Sequence, residues 1–278
     1  MTYAQLYRQC RRKLTNDTAD FDLSQLFHAQ FSPSGQMQRS EAEVSAEEAF
    51  IFQQKVRRLA EGYPLQYLLG EWEFYSIPLK IGEGVLIPRP DTETLVDAAL
   101  ELLSGTEQPV IADYCAGSGA ISLALARFLP DAEVYAVELS AQALPYLYAN
   151  VDATAGGERV HIIEADVLDG SSLSALPPLD LLISNPPYLT EQELTEIPEQ
   201  VRCEPRMALD GGPDGLRFYR AIAADAPAHL KQNGLLIFEA GYTQAQQICE
   251  ILRAAGYREI FLRKDLAGID RCVIARRP

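Results

Sequence analysis

Cysteine and histidine are scarce in this sequence, and their spacing argues against both disulfide bonds and a structural zinc site. The 278 residues include 5 cysteines and 3 histidines. The cysteines are odd in number and widely separated, and none forms a Cys-x-x-Cys pair, so neither a disulfide framework nor a structural zinc site is expected. We therefore expect reduced cysteines, no bound metal and a cytoplasmic location.

Long hydrophobic runs and an excess of basic charge are also missing. No apolar run approaches the roughly 20 residues of a membrane-spanning helix, so we expect no association with a membrane. The chain has 39 acidic and 24 basic side chains and a net charge of −15. Proteins that grip long nucleic acids usually present a basic surface, so this balance predicts no direct binding of nucleic acid. We also expect a monomer.

The rest of the composition is that of a globular protein, with 47% hydrophobic residues, and the sequence pattern changes twice along the chain. Residues 1–71 contain helical patterns, including Ser45 and Glu48 at the spacing of a capping box. Residues 72–90 hold short aromatic and β-branched runs broken by proline and glycine, which predicts a β-hairpin linker. Residues 91–278 predict a larger α/β domain.

Strand and helix patterns alternate through this larger domain. Strands are predicted at Val110–Tyr114, Glu133–Glu138, Val160–Glu164, Leu179–Ser184, Gly234–Glu239, Arg258–Leu262 and Arg271–Ala275. Helices are predicted at Thr94–Leu103, Ala120–Leu129, Ala141–Ala153, Leu216–Leu230 and Thr243–Ala254. Such alternation predicts a doubly wound, mostly parallel sheet. The turn between the last two strands is too short for a helical crossover, so these strands should pair antiparallel.

A glycine-containing turn, Asp113–Gly119 (DYCAGSG), follows the first of these strands and opens a helix. Its two glycines allow a ligand to approach the backbone, and the helix N-terminus offers free N–H groups. Glu138 ends the next strand, where it is placed to accept hydrogen bonds from ribose hydroxyls, and Asp166 follows the third strand, where it could border the adenine. Three acids at successive strand ends therefore indicate a nucleoside-containing ligand, although a glycine pair alone also fits a tight turn without any ligand.

Two classes of ligand fit this turn. A dinucleotide-binding dehydrogenase also places a glycine turn and acidic residues at the carboxyl ends of its strands, but the full Gly-x-Gly-x-x-Gly spacing is absent here. S-adenosylmethionine has no phosphate and carries a positive sulfonium, so it suits a glycine turn flanked by carboxylates. The residues favour the second ligand.

A second motif, Asn185-Pro186-Pro187-Tyr188, ends the fourth strand. An amide nitrogen is a poor nucleophile because its lone pair is delocalised, so an enzyme that modifies it must hold the nitrogen in place. The Asn185 side-chain oxygen and the Pro186 carbonyl can each accept one hydrogen bond from an NH₂ group. The prolines fix φ and remove competing donors, and Tyr188 offers a flat face. The alternative interpretation, a strand that simply ends in a Pro-Pro turn, explains the two prolines but not the presence of Asn185 and Tyr188 beside them.

Both motifs resemble those of class I methyltransferases that act on planar nitrogens, and further segments are similar to one family among them. These segments are Pro64–Gly70, Glu73–Tyr75, Leu86–Glu93, Glu204–Leu209, Gly211–Leu216, Glu239–Gly241 and Asp265–Arg271. They resemble the peptide chain release factor glutamine methyltransferases, also called PrmC or HemK. The resemblance is close from Pro64 to the C-terminus and extends to the preceding residues in helical character only.

The resemblance implies a seven-stranded class I methyltransferase sheet with an antiparallel last strand. It implies a helical substrate-docking domain over residues 1–71, the hairpin linker over 72–90 and the methyltransferase domain over 91–278. It also implies a reaction in which a methyl group of S-adenosylmethionine passes to the glutamine side-chain amide of the Gly-Gly-Gln motif in class I release factors. The cofactor product is S-adenosylhomocysteine.

The family's site residues carry over to matching positions of this sequence. The cofactor-binding positions are Asp113, Cys115, Ala116, Gly117, Ser118, Gly119, Glu138, Asp166, Val167 and Asn185. The substrate-binding positions are Asn185, Pro186, Pro187 and Tyr188, and the catalytic ones among them are Asn185, Pro186 and Tyr188. Arg89, which this match does not assign, is a further candidate for substrate binding. One position departs from the family: Cys115 replaces the usual first glycine of the loop, and we expect its thiol to pack beneath that loop.

Two positions have open roles on physical grounds. Arg89 is equally consistent with contacting the substrate and with pairing with a surface carboxylate. Asp214, just before a predicted helix, is better interpreted as a cap than as a catalyst.

Other substrates also stay open. A glutamine of a large-subunit ribosomal protein would use the same Asn-Pro-Pro-Tyr chemistry, and only the resemblance of Pro88–Glu93 favours the release factor over it. An adenine in DNA or RNA would have to be flipped out or otherwise exposed, and the acidic balance and lack of a target-recognition domain disfavour it. A non-catalytic scaffold is disfavoured by the intact Asn185–Tyr188 motif.

Overall fold

The structure is a computed structural model that describes residues 1–31, 40–170, 174 and 176–277. Its chain forms two compact units. The smaller unit comprises Met1–Glu71 and Pro198–Cys203, and the larger unit comprises Trp72–Ile197 and Glu204–Pro278.

Most of the smaller unit consists of four helices: α1 (Tyr3–Arg11), α2 (Ala19–Phe31), α3 (Ala46–Ala60) and α4 (Leu65–Leu69). The hydroxyl of Ser45 accepts a hydrogen bond from the Glu48 N–H, and the Glu48 carboxylate accepts one from the Ser45 N–H. This capping box confirms the helix start that those two residues predict. Thr2 and Gln5 form an equivalent box at α1.

Apolar side chains of α1, α2 and α3 form a core within this unit. Leu6, Leu26, Phe27 and Phe52 are fully buried. The Phe27 ring stands edge-on to the rings of Phe52 and Tyr7, with centroids 5.3 and 5.2 Å apart, which is a favourable arrangement of aromatic quadrupoles. The smaller unit therefore has a hydrophobic core of its own.

A two-stranded sheet, β1 (Glu71–Phe74) and β2 (Ile77–Lys80), follows the helices. Tyr75 and Ser76 connect the strands with φ angles of 51° and 57°. Positive φ at both central residues is what a two-residue turn between right-twisted strands requires. The regular hairpin is shorter than the predicted linker, because residues 81–89 contain no strand.

The larger unit is built on a seven-stranded sheet. Its strands are β3 (Val110–Tyr114), β4 (Glu133–Glu138), β5 (Val160–Glu164), β6 (Leu179–Ser184), β7 (Leu230–Glu239), β8 (Arg258–Lys264) and β9 (Asp270–Arg276). Their order is β5-β4-β3-β6-β7-β9-β8. Strand β9 is antiparallel to both of its neighbours, and the other pairs are parallel. The predicted fold class, a mostly parallel sheet with an antiparallel last strand, is confirmed.

Helices connect most of these strands. They are α5 (Glu93–Leu102), α6 (Ala120–Phe128), α7 (Leu144–Ala153), α8 (Glu193–Glu196), α9 (Glu199–Arg202), α10 (Arg217–His229) and α11 (Ala245–Ala254). The short helices α8 and α9 lie in the long loop after β6, for which the sequence predicts no helix, and α9 falls in the segment Pro198–Cys203 of the smaller unit.

Predicted and observed boundaries differ most between α10 and β7. The sequence predicts a helix to Leu230 and a strand from Gly234, whereas the helix ends at His229 and the strand begins at Leu230. Leu230 pairs with Leu179 of β6 across an irregularity in the register. This pairing extends the strand through exposed polar residues whose composition is typical of a turn. The pairing with β6 therefore outweighs the preference of these residues for a turn.

Parallel pairing of β3 and β6 brings the two sequence motifs together. Tyr114 of β3 lies opposite Ser184 of β6, and the Ser184 hydroxyl donates to the Tyr114 carbonyl at 2.7 Å. Strands β4 and β5 extend the sheet on one side of this pair, and β7 extends it on the other. Such a reversal of strand order is where open α/β sheets bind ligands, at the carboxyl ends of the strands.

No helix in the described part of the chain combines the length and apolar character needed to cross a membrane.

Phe52→Ala should destabilise the smaller unit, whereas Phe50→Ala on the same helix should not. Phe52 is fully buried, while 60% of Phe50 is exposed. Removal of a buried ring leaves a cavity that costs about 3–5 kcal/mol of unfolding free energy, and exposed substitutions usually stay within roughly 0.5 kcal/mol. Urea unfolding followed by circular dichroism measures both variants. Equal losses of stability would contradict the assigned core.

Candidate active site

A cavity of about 780 Å³ opens at the carboxyl ends of β3, β4, β5 and β6. Its volume lies in the range of pockets that hold small-molecule ligands. Ten of the predicted site residues line it: Arg89, Cys115, Ala116, Gly117, Ser118, Glu138, Asp166, Val167, Asn185 and Pro187. The other four, Asp113, Gly119, Pro186 and Tyr188, lie beside the cavity without lining it. The structure therefore brings both motifs to one site.

The loop from Cys115 to Gly119 has an unusual backbone. Cys115, Gly117 and Gly119 have φ angles of 63°, 57° and 83°, in a region that residues other than glycine rarely occupy. At Gly119 a Cβ atom would also come within 2.7 Å of the Leu147 Cδ1. Cys115 accepts this conformation without being glycine, and its side chain packs against the core of the larger unit.

Backbone N–H groups hold the Glu138 carboxylate at the end of β4. Oε2 accepts from the Gly117 N–H at 2.7 Å, and Oε1 accepts from the N–H groups of Leu139 and Ser140 at 2.9 and 2.7 Å. The bond to Gly117 ties the loop to β4. Because Oε2 has a further lone pair, it can still accept a hydrogen bond from a ligand hydroxyl.

Asp113 lies beneath the loop and is 1% exposed. Its Oδ2 accepts from the Ser122 N–H at 3.0 Å and from the Ser122 hydroxyl at 2.6 Å, whereas its Oδ1 is buried without a hydrogen-bond partner. Burial raises the pKa of Asp113 to about 7, and the negative charge of Glu138 adds to the rise while the bonds from Ser122 oppose it. A buried carboxylate oxygen of this kind is suited to stabilising a nearby cation.

Asp166 and Val167 follow β5 on the far side of the loop. The Asp166 Oδ1 accepts from the Leu168 N–H at 2.9 Å, which holds the turn. Val167 is a buried apolar residue at the cavity wall. An acid beside an apolar surface suits a nucleobase that has both polar edges and flat faces.

These residues fit S-adenosylmethionine. The cofactor has no phosphate and carries a positive sulfonium, and the cavity presents the carboxylates of Glu138 and Asp166 with Asp113 just below. The positive φ angles of the two glycines let the loop backbone approach a ligand closely.

Asn185 follows β6, and its side-chain amide belongs to a chain of hydrogen bonds. Its Nδ2 donates to the Thr92 Oγ1 at 3.2 Å, and the Thr92 hydroxyl donates to the Glu239 Oε2 at 2.5 Å. Thr92 immediately precedes α5, and Glu239 ends β7. Since the nitrogen of Asn185 faces Thr92, the oxygen of the same amide points the other way.

Glu239 is buried in a charged environment. Burial is the largest influence and raises its pKa to about 7, while the Thr92 hydroxyl and the Arg271 guanidinium act to lower it. Arg271 also pairs with Asp91 and Asp265 at 3.1 and 3.2 Å. Arg271 of β9 therefore holds the residue before Thr92 through an ion pair, and its positive charge acts on the carboxylate that Thr92 contacts.

The rest of the Asn-Pro-Pro-Tyr motif lies around Asn185. Pro186 and Pro187 are buried. The Tyr188 ring packs against Gly241, where its Cδ2 is 3.1 Å from the position that a Cβ would take. The Tyr188 carbonyl accepts from the Gln244 Nε2 at 2.8 Å. The motif is thus anchored to the turn after β7.

The structure also places the two residues whose roles the sequence leaves open. Arg89 pairs with the Glu204 carboxylate, which is 2% exposed and also accepts from the Ile87 N–H at 3.1 Å. Arg89 thus pairs with a carboxylate, but a buried one and not one at the surface. Arg89 also lines the cavity. The expectation that Asp214 caps a helix is wrong: Leu216 is the N-cap residue of α10 and no side chain caps this helix. The Asp214 carboxylate instead accepts from the Leu216 N–H at 3.2 Å in the preceding turn and pairs with Arg220.

Sequence reasoning missed Thr92, Glu204 and Glu239. Glu239 is the acidic residue that ends β7. Glu138 is selected because ligands bind at the carboxyl ends of strands, and the same argument would also have selected Glu239. Thr92 and Glu204 occur in segments that resemble the methyltransferase family. Their partners, however, lie 147 and 115 residues away, and no local pattern predicts such contacts.

Two family models match the chain. The PrmC N-terminal domain matches residues 4–70, and the methyltransferase small domain matches residues 92–213.

Several curated relatives are similar over most of their length. The release factor glutamine methyltransferase of Moorella thermoacetica is 45% identical over 240 residues, which are 86% of this chain and 84% of that protein. The enzyme of the same name from Bordetella pertussis is 42% identical and covers 81% and 82% of the two chains. The one from Thermodesulfovibrio yellowstonii is 35% identical and covers 87% and 86%.

Solved structures with the same fold include a Pyrococcus furiosus methyltransferase, with a TM-score of 0.54, 14% identity and coverage of 81% of this chain and 98% of that one. The catalytic domain of hMettl16, solved in complex with a 3′UTR hairpin, has a TM-score of 0.58, 16% identity and coverage of 80% and 81%. At these identities the similarity concerns the fold.

The sheet order, the loop after β3 and the matching family models define an enzyme of the class I methyltransferases, with S-adenosylmethionine as its cofactor. Within that class, the chain belongs to the release factor glutamine methyltransferase family, as relatives at 35–45% identity over most of both chains show. The resemblance seen in the sequence motifs is confirmed.

Gly119→Ala should weaken cofactor binding. The added methyl group would meet Leu147 at 2.7 Å, and alanine is strained at a φ of 83°. We expect the dissociation constant for S-adenosylmethionine to rise by about tenfold or more, corresponding to roughly 1–3 kcal/mol of strain. Calorimetric titration measures this effect.

Gly105→Ala is the matched control for this substitution. Gly105 has a φ of 85°, but nothing lies within 4 Å of the position its Cβ would take. Its replacement should carry strain without altering the loop, so cofactor affinity should be unchanged. Equal affinities for the two variants would show that Gly119 has no special place in the cofactor loop.

Cofactor affinity should rise as the pH increases through about 7. S-adenosylmethionine carries a net positive charge, so its binding favours the ionised form of Asp113, whose pKa in the free protein is raised to about 7. Below that pH, binding must release a proton, which costs affinity. Calorimetry in buffers of different ionisation enthalpy detects this release. Persistence of the same proton release in Asp113→Asn would contradict the assignment.

Proposed function

We propose that this enzyme methylates the side-chain amide nitrogen of the glutamine in the Gly-Gly-Gln motif of class I peptide chain release factors. The names of its relatives support the substrate. The observation that carries the chemistry is Asn185, whose amide nitrogen faces Thr92 and whose oxygen is left for a substrate in the cavity beside the cofactor loop.

The proposed clamp positions a weak nucleophile. The Asn185 Oδ1 and the Pro186 carbonyl each accept one hydrogen bond from the substrate NH₂, which directs the nitrogen lone pair at the methyl group. When bound, S-adenosylmethionine supplies an electrophilic methyl group on a sulfonium. As the nitrogen–carbon bond forms, the carbon–sulfur bond breaks, and the nitrogen loses its proton to solvent. No strong base is needed, because methylation makes the nitrogen easier to deprotonate.

The other residues of the site divide between cofactor and substrate. We assign the loop Cys115–Gly119 and Asp113 to the amino-acid part of the cofactor, Glu138 to its ribose, and Asp166 with Val167 to its adenine. We assign Arg89 to the substrate side. Tyr188 and Pro187 flank the amide, and the contact between Tyr188 and Gly241 supports their position.

The proposal extends to partners and location. The smaller helical unit is assigned to docking of the release factor, and the enzyme is expected to act as a monomer in the cytoplasm, where translation terminates. Direct contact with nucleic acid is not expected, in keeping with the net charge of −15.

Incubation of a class I release factor with the enzyme and S-adenosylmethionine, followed by mass spectrometry of its peptides, tests the proposal. We expect a single added methyl group on the Gly-Gly-Gln glutamine. Asn185→Ala should lower the rate by about 100-fold or more, since removal of one positioned group commonly costs that much. Cofactor affinity should fall far less than the rate, because Asn185 is one of ten predicted cofactor contacts but one of only two proposed acceptors for the substrate nitrogen.

Gln232→Ala provides the control, because Gln232 is an exposed side-chain amide that precedes the buried part of β7. It should leave the rate unchanged. Enzyme that binds the cofactor but leaves the release factor unmodified would contradict the proposed substrate. The same assay on a large-subunit ribosomal protein, and then on adenine-containing nucleic acid, would identify the acceptor in that case.

A further inference from the structure

We propose that Thr92 and Glu239 are positioning residues that set the direction of the Asn185 side-chain amide, so that its oxygen and not its nitrogen faces the substrate. This inference rests on the proposed amide methylation, and it concerns the groups behind the clamp. Neither residue need touch the substrate nitrogen for the effect to operate.

The direction follows from the hydrogen-bonding capacity of each group. An ionised carboxylate accepts but does not donate, and a threonine hydroxyl has one hydrogen. The short contact of 2.5 Å between the Thr92 Oγ1 and the Glu239 Oε2 therefore uses the hydrogen of Thr92. The Thr92 oxygen is left with lone pairs only, so Asn185 must present its NH₂ to Thr92, as the contact of 3.2 Å shows.

The direction matters because the two ends of a side-chain amide have nearly the same shape and opposite polarity. With the oxygen toward the cavity, Asn185 accepts a hydrogen bond from a substrate NH₂. With the amide reversed, two NH₂ groups would face each other, and the substrate nitrogen would lose one of its two acceptors. Shape alone does not distinguish the two orientations of the Asn185 amide, so a neighbouring hydrogen-bonding group must select one of them.

The surroundings hold Thr92 in place. Thr92 is 4% exposed and Glu239 is 1% exposed, so water does not compete for their hydrogen bond. Arg271 pairs with Asp91, the neighbour of Thr92, at 3.1 Å. The Tyr219 hydroxyl donates to the Glu239 carbonyl at 2.8 Å and fixes the end of β7.

Protonation of Glu239 would undo the arrangement. A protonated carboxyl can donate to Thr92, which frees the hydrogen of Thr92 to face the Asn185 oxygen and favours the reversed amide. The groups that act on Glu239 are Arg89, Asp91 and Thr92 before α5, Tyr188 after β6, Tyr219 of α10, and Arg271 and Cys272 of β9. Burial raises the pKa of Glu239 to about 7, and Thr92, Arg271 and Arg89 oppose that rise while Asp91 adds to it.

Thr92→Val and Thr92→Ser test the hydroxyl directly. Valine keeps the shape and removes the hydrogen bonds, and serine keeps the hydroxyl. We expect Thr92→Val to lower kcat by about 10- to 100-fold, because a misplaced reacting group costs rate in this range, with the cofactor dissociation constant within about threefold of wild type. Thr92→Ser should recover kcat to within about threefold.

Thr190→Val is the matched control. The Thr190 hydroxyl also contacts a carboxylate, the Glu193 Oε2 at 2.9 Å, but at an exposed position outside the cavity lining. Its removal should leave kcat unchanged. A purely structural role for Thr92 would predict that thermal stability and kcat fall together in Thr92→Val and that cofactor binding falls with them.

The pH profile supplies a second readout. In the wild type, kcat should rise as the pH increases through about 7, because Glu239 ionises over that range. In Glu239→Gln, kcat should be reduced and this step should be absent. Thr92→Val should also lose the step, since it breaks the link between Glu239 and Asn185.

Two outcomes overturn the inference in different ways. If Asn185→Ala is inactive while Thr92→Val and Glu239→Gln have normal kcat, the clamp stands and the positioning role of Thr92 and Glu239 is wrong. If Asn185→Ala itself has normal kcat, the proposed amide clamp is wrong, and the positioning role falls with it.

Discussion

The parallel pairing of β3 with β6 is the contact on which the site depends. The cofactor loop leaves the end of β3 and the amide motif leaves the end of β6, and the residues that meet there are separated by 70 positions in the chain. Neighbouring strands lie about 4.8 Å apart, so the proposed cofactor loop and the proposed amide clamp are within reach of each other. A register shift of one residue would turn the side chains of one strand to the opposite face of the sheet and destroy this relation.

Burial of carboxylates at the strand ends is the main electrostatic cost of the site. Asp113 and Glu239 are both almost fully buried, and burial raises the pKa of each to about 7. A carboxyl whose pKa rises on folding makes the folded state less stable as the pH increases from about 4 to about 7. Other contacts offset this cost: Ser122 donates two hydrogen bonds to Asp113, and Arg271 lies near Glu239. The protein thus gives up some stability to keep these two carboxylates at the ends of β3 and β7, beside the proposed cofactor site and clamp.

Much of this architecture is predictable from sequence, and the exceptions have a common physical cause. The seven strands and the antiparallel end of the sheet follow from local periodicity and a short turn, and the strand-end acids follow from the rule that ligands bind at carboxyl ends. The contacts of Thr92 with Glu239 and of Arg89 with Glu204 do not follow, because each joins residues more than 100 positions apart. The start of β7 at Leu230 was also missed, since pairing with Leu179 converts a polar stretch into strand. The local sequence pattern predicts the helices and strands, whereas the pairing of strands in the sheet determines which distant residues come into contact.

The smaller unit is discontinuous in sequence, and this has a consequence for synthesis on the ribosome. Its last segment, Pro198–Cys203, is separated from Glu71 by the 126 residues 72–197 of the other unit. At a translation rate of about 5–20 residues per second, the first four helices wait roughly 6–25 s for that segment. During this interval β3, β4, β5 and β6 leave the ribosome. The buried core of the N-terminal unit comes entirely from residues 6–68, so this core can form before the segment Pro198–Cys203 is made. The unit is completed only after four strands of the sheet have been synthesised.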